Sequence, residues 1–475
     1  MFRRFSVFLL GSSILFAQSV DSAMTAKIRA EGSGANSQAA AIFDMLTVEI
    51  GPRLTNSAAF FKTGDFVTEK LKSFGLDNTH KEPWKFGRGW TLDKFTLELV
   101  EPRYAPLIGY ATAWSPSTPG DLVGTPVYLG NKTPEQADAM KASFKGAMVM
   151  PMPQQKVHVR EDRPQPTAPG VTPPEMLSAS PLFGTPVAAQ KMNALVQSSG
   201  AGVILRPNVL EDGTVYVTGR DAGAATVPSI VLAAEHYNMI AGMLERGMPV
   251  KLRVGIKSTF QTEELNSYNV IAEIPGTDRD MAGQAVMLGA HMDSWHTGVG
   301  ASDNADGVAT MMEAMRILKA IGAKPKRTIR VALWGGEEQG LLGSKAWLTA
   351  HAAELDKLSV YFNIDNGTGP IYGFAMENNE GAKPLFDVWL KQFADMGARR
   401  NVNLKLTNTD HQAFIAAGVP GFNPFQDYEK YDVRTHHTNM DLRDHVKQED
   451  MKQAAMVMAS FAWQAAMLDG PLPRK

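Results

Sequence analysis

The sequence predicts an α/β protein, a mixed sheet covered by helices, that carries a smaller, mainly β domain inserted ahead of its C-terminal half. Three observations predict it. After Asn266, compact apolar runs alternate with helical patterns. Between about Glu101 and Glu263 the runs are short and broken by Gly and Pro, and from about Met24 to Val100 apolar residues recur at helical spacing.

In the first stretch Ala39, Ala40, Ile42, Phe43, Leu46 and Ile50 keep near-helical spacing, Phe66, Val67, Leu71 and Phe74 repeat it, and Gly51-Pro52-Arg53 separates the two helices. In the second, runs at 125–129, 146–150, 202–205 and 229–232 read as strands, and the proline-rich 151–186 reads as a long exposed loop. In the third, runs at 286–290, 328–334 and 360–364 read as strands. The clearest helix begins near Asn304, where Val308, Met311, Met312, Met315, Leu318 and Ile321 keep one apolar face, and Gly322 closes it. The implied boundaries are 20–105 for the N-terminal part of the main domain, 106–262 for the insert and 263–475 for the catalytic part.

Composition limits the function classes. The chain has 475 residues, 44% hydrophobic and 20% charged, enough for two or three domains. With 47 Lys and Arg against 49 Asp and Glu, no basic field argues for nucleic acid or an anionic membrane. There is no cysteine, so any metal must be held by His, Asp and Glu. Arg3 and Arg4 precede an apolar stretch to Ala17, and Ala17-Gln18-Ser19 offers small residues at alternate positions, which reads as a signal peptide over 1–19 cleaved near residue 19. That stretch is short of the roughly 20 residues a membrane span needs. The expected destination is the periplasm or the medium, without a stable span.

In sheets of this kind ligands bind beyond the carboxyl ends of the strands, and chemically capable residues collect there. The first run ends in Gly289-Ala290-His291-Met292-Asp293. Residues two apart on an extended chain project to one side, so Asp293 can orient His291 as a metal ligand. Asp303 stands just before the helix, where it is either an N-cap or a carboxylate bridging two cations. The second strand ends in Gly335-Gly336-Glu337-Glu338, where one carboxylate can bind metal and the other take a proton. Asp365 follows the third run as a turn-former or terminal ligand. Near the C-terminus, one imidazole of His436-His437 can close a coordination sphere with Asp441 behind it. Two histidines and three carboxylates suffice for two zinc ions with an open position.

The segments GAHMDSWHTGVGASDNADG, ALWGGEEQGLLGS, FNIDNG and HHTNMD resemble metallopeptidase family 28, which includes bacterial aminopeptidases and glutamate carboxypeptidases, and are nearest to its carboxypeptidase Q branch. The likeness is most specific from Tyr268 to His351. It implies the zinc exopeptidase fold with a protease-associated domain inserted before the first ligand. It further implies two Zn2+ held by His291, Asp303, Glu338, Asp365 and His437, with Asp303 shared. Glu337 falls on the family's general base and Asp293 on the residue supporting the first histidine, while His436 is the alternative to His437. Dipeptide or short-peptide substrates and a homodimer are implied by the resemblance alone. Two departures, His296 after Trp295 and Asp306 after the shared Asp303, are expected to bear on the substrate pocket.

The mechanism this implies is attack by a metal-activated water with Glu337 as general base, and Tyr428 or Tyr431 as oxyanion donor. The alternatives are a receptor-like binding protein on the same fold, which would lack an intact ligand set, and a single-zinc glutaminyl cyclase, which would lack the insert. Arg434 and Lys430 read as solvated surface charges compatible with carboxylate binding.

Overall fold

The structure is a computed structural model that describes residues 20–173, 187–223 and 227–474. The expected signal peptide and part of the 151–186 loop lie outside the described residues. A six-stranded mixed sheet runs in the order Asp77–Lys85, Asn266–Ile274, Thr328–Trp334, Ala285–His291, Leu358–Asn363, Gly421–Phe422. Asn266–Ile274 is antiparallel to both neighbours, and the last four strands are mutually parallel.

Every residue of Ala285–His291 is buried, as expected of a strand covered on both faces. Val286, Leu288 and Ala290 pack in one cluster with Val308, Met311, Met312 and Met315 of helix Asp306–Ala320 and with the helix Gln448–Met467. Ala285 and Met287 face the opposite layer, where Trp334, Trp347 and Phe414 meet from other elements. The three predicted strands of this half are present within a residue or two of the expected bounds.

The helical reading of 24–100 holds only to Ser73. Beyond it lie two strands, Asp77–Lys85 and Gly89–Glu101, the second pairing along its length with Lys251–Gln261. The reason is a period of two, in which Leu97 and Leu99 are buried while Thr96, Glu98 and Val100 beside them are only partly so.

The runs at 125–129, 146–150, 202–205 and 229–232 supply strands of a five-stranded sheet ordered Gly109–Ala111, Ser229–Leu232, Val203–Pro207, Met148–Met150, Val127–Tyr128. Its last four strands are parallel, and helices Pro134–Asp138, Val187–Gln197 and Ala234–Glu245 accompany it. The described part of the proline-rich segment is not simply exposed. Thr167 is buried, Arg400 donates to the carbonyls of Pro166 (2.8 Å) and Val171 (2.7 Å), and Gln165 donates to that of Gln426 (2.7 Å). The segment is a strap across the catalytic half, held through backbone carbonyls that composition does not reveal.

Candidate metal centre

Parallel strands bring their carboxyl ends to one edge, and the predicted site residues follow those ends. His291 closes its strand, Glu337 and Glu338 follow Thr328–Trp334, and Asp365 follows Leu358–Asn363. Asp303 precedes helix Asp306–Ala320, and the loop carrying His436 and His437 comes over the top. His291 Nε2 lies 3.1 Å from Asp303 Oδ1 and 3.5 Å from Asp365 Oδ1. The other oxygen of Asp303, Oδ2, lies 3.2 Å from His437 Nε2, which is 2.8 Å from Glu338 Oε2. One carboxylate therefore faces two groups of donors. His436 Nε2 stands further off, 3.9 Å from Asp303 Oδ2, its ring stacked on Tyr431 at 4.8 Å.

These residues suit cations. Donor atoms of His291, Asp303 and Asp365 lie within 4.8 Å of one another, as do those of Asp303, His436 and His437. Two ligands at about 2.0–2.1 Å in a tetrahedral shell stand about 3.3 Å apart, close to the separations found. His291 Nε2, Asp303 Oδ2 and Glu338 Oε1 are buried without a hydrogen bond among the described residues, so the cluster holds donor atoms that a cation could satisfy. Three buried carboxylates beside two imidazoles need positive charge, and oxygen and imidazole donors without thiolate suit a divalent transition metal.

The titration behaviour of the protein groups alone agrees. Burial pushes Glu338 up to about 7, with Asp303 adding to it and His437 opposing. Burial also raises Glu337 well above the carboxylate range, partly offset by His291. For His291 and His437, burial lowers the pKa but is outweighed, by Asp365 and Glu337 in the first case and chiefly by Glu338 in the second. For Asp303, burial is outweighed by the imidazoles of His291 and His437, which hold it well below its ordinary value.

Asp293 meets the site through both its main chain and its side chain. The His291 Nδ1–H points at the main-chain oxygen of Asp293, 3.0 Å away, whereas the carboxylate Oδ1 stands at 3.7 Å. The carbonyl therefore selects the tautomer that leaves Nε2 free for the cluster. The carboxylate also accepts the N–H of Glu337 at 3.2 Å, that of Glu338 at 3.3 Å and the hydroxyl of Thr55 at 3.0 Å.

A cavity of about 410 Å³ opens over the cluster, lined by Asp303, Glu337, Glu338, Asp365, Tyr431 and Arg163 among others. Tyr428 is not on that wall, and its ring lies beneath Arg163 at 5.1 Å. Sequence reasoning missed Arg163 and Tyr216. Arg163, from the strap, pairs with Asp432 at 2.7 Å and donates to Asn366 at 2.8 Å. The Tyr216 hydroxyl lies 3.1 Å from His437 Nδ1. Neither carries a local sequence signal, because each reaches the site from a distant stretch. Arg434 binds Thr214 at 3.2 Å and does not line the cavity. Nor do the two departures: His296 Nε2 hydrogen-bonds the Ala111 carbonyl at 2.8 Å with its ring edge-on to Trp90, and the Asp306 carboxylate accepts the N–H of the next residue, Gly307, at 2.8 Å.

A cradle for cations at the carboxyl ends of a mixed α/β sheet is the arrangement of a metallopeptidase, and comparison with known proteins puts the chain in that class. Residues 269–462 match the sequence model of peptidase family M28. It is 27% identical to carboxypeptidase Q of Mus musculus over 439 residues, covering 90% of this chain and 86% of the other. A crystal structure of a peptidase M28 precursor from Shewanella amazonensis is similar with a TM-score of 0.73 and 27% identity, covering 96% and 99% of the two chains. A zinc aminopeptidase from Bacillus subtilis, 19% identical, shares the fold with a TM-score of 0.61 over 92% and 96%. The chain is accordingly a hydrolytic metallo-exopeptidase. No helix among the described residues is long and apolar enough to cross a membrane.

Proposed function

We propose that the protein is a di-zinc exopeptidase that hydrolyses the terminal bond of dipeptides or short peptides, with Glu337 as general base. The observation that supports it most is the state of Glu337, which is buried at the cavity wall beside the donor cluster and fixed through its own N–H by Asp293. His291, Asp303, Glu338, Asp365 and His437 would hold the cations, Asp303 between them. Two bound zinc ions would supply Lewis acidity toward the scissile carbonyl and the attacking water.

In this reading Glu337 takes a proton from the attacking water and delivers it to the leaving amine nitrogen, a task suited to a carboxylate raised toward neutrality by burial. Asp293 holds the Glu337-Glu338 turn so that one side chain faces the cluster and the other stays free. Tyr431, on the cavity wall, is the preferred oxyanion donor over Tyr428, because only the former lines the space. His437 is preferred to His436 for its shorter approaches to Asp303 and Glu338. The stretch 106–262 is read as a protease-associated domain, 20–105 and 263–475 as the peptidase domain, and the chain as an exported homodimer.

The test is hydrolysis of free, N-blocked and C-amidated dipeptides by zinc-loaded protein, beside Glu337→Gln and a metal count on both. Turnover by wild type with two metals per chain, and its loss in a variant that keeps both, is expected. A variant as active as wild type, or a metal-loaded wild type that cleaves nothing, overturns the reading.

A further inference from the structure

The five-stranded sheet carries a second cavity, about 690 Å³, that shares no lining residue with the hydrolytic one. Its floor breaks the alternation of a buried strand. In Val203–Pro207, Val203 and Leu205 face a core with Leu232 and Tyr237, while Ile204 faces the opposite core with Met192 and Val196. Arg206 follows Ile204 by two and shares its face, so a guanidinium occupies a position that the pattern reserves for an apolar side chain. It sits at the carboxyl end of a parallel strand, where α/β sheets bind their ligands.

Arg206 has no anionic partner among the described residues, and its Nε is buried without a hydrogen bond. Burial alone acts on its pKa and holds it below the ordinary value. Two more orphaned buried atoms belong to residues lining the same cavity, Ser229 Oγ on the neighbouring strand and Asn193 Oδ1 on the helix Val187–Gln197. Register places Ser229 opposite Ile204 and Val231 opposite Arg206, so both share the Arg206 face. Buried polar atoms are normally satisfied, and a partly buried cation without an ionic partner is a costly exception. Three in one cavity describe a ligand. It carries an anion for Arg206 and Ser229, an N–H donor for Asn193 Oδ1, and an apolar part for Met152, Val227 and Val231.

We propose that this cavity binds a free amino acid or short peptide with an apolar side chain, its carboxylate held by Arg206 and Ser229 and its N–H by Asn193, beside the hydrolytic centre and separated from it by Tyr216. The site stands on its own residues and does not require the peptidase mechanism.

The probe is leucine, compared with leucinamide, which lacks the carboxylate. Calorimetric titration of the zinc-loaded full chain is expected to detect leucine binding that weakens on the order of ten- to a hundredfold in Arg206→Met and with leucinamide, the range for losing a charged hydrogen-bonding partner. Turnover of a dipeptide is expected to be unchanged in the variant, and Arg206→Lys serves if the methionine variant does not fold. A leucine-soaked crystal is expected to place the carboxylate at Arg206. Leucine seen only over His291 and Asp303, binding indifferent to both Arg206 substitutions, or leucinamide bound as tightly as leucine overturns the proposal.

Discussion

The carboxylate of Asp293 accepts the main-chain N–H of Glu337 at 3.2 Å, so the residue that ends one sheet strand's motif fixes the turn after the next strand. Its second oxygen takes the N–H of Glu338 at 3.3 Å. Asp293→Asn can satisfy one of these donors and turns an N–H2 toward the other. Activity is expected to fall by about 10- to 100-fold, the usual cost of losing a partner behind a metal site. Steady-state kinetics with a metal count on the purified variant checks this, and full activity with full metal content would remove Asp293 from the positioning role.

Removal of metal is expected to destabilise as well as inactivate. The buried carboxylates of Asp303, Glu338 and Asp365 have no lysine or arginine ion pair among the described residues, and without cations their mutual repulsion opposes folding. Adding zinc to stripped protein at about 1,000 times its dissociation constant stabilises by about 4 kcal/mol per site. Thermal unfolding of chelated and zinc-restored samples measures the difference, and an unchanged Tm would contradict the cation-balance argument.

The Arg163–Asp432 pair joins the strap to the loop before His437, with side chains only 14% and 1% exposed. Arg163→Met leaves Asp432 buried without its cation. The expected loss is about 2 to 3 kcal/mol, at or below the range for fully buried pairs because Arg163 keeps some solvent contact. Trypsin cleavage at Lys156 or Arg160 is expected to accelerate in the same variant. Denaturant titration and limited proteolysis read the two effects, and protease resistance equal to wild type would show that the strap is held elsewhere.

His296 gives a pH signature. Burial pushes its pKa down to about 4, opposed by the hydrogen bond to the Ala111 carbonyl, so the folded chain keeps it neutral. Between about 6.5 and about 4 the unfolded chain binds a proton that the folded chain does not. Stability from this group is therefore complete above pH 6.5 and declines as pH falls through that window, by at most about 2 kcal/mol at pH 5. His296→Gln, which can still donate to that carbonyl, is expected to lose less stability between pH 7 and pH 5 than wild type. Equal losses in denaturant titrations would assign the acid sensitivity to other groups.

The sequence by itself determined the catalytic half. The runs 286–290, 328–334 and 360–364 are mostly apolar, with Thr328, Arg330 and Asn363 the exceptions, because strands largely buried on both faces have little polar side, and glycine or acidic residues follow where the chain leaves the sheet. Local order was enough to mark His291, Glu337, Glu338 and Asp365 as residues meeting at one sheet edge. Tertiary structure alone decided the rest. That Asp303 turns one oxygen to His291 and the other to His437, that Asp293 serves the glutamate turn, and that Arg163, Tyr216 and Arg206 reach half-buried positions beside distant residues all depend on chain segments far apart in sequence. Periodicity reports which face of an element is buried, but not which distant side chain meets it. The strands at 77–85 and 89–101 were misread for a related reason: their outward faces are polar and partly exposed, so the alternation that marks them is diluted by neighbouring helical spacing.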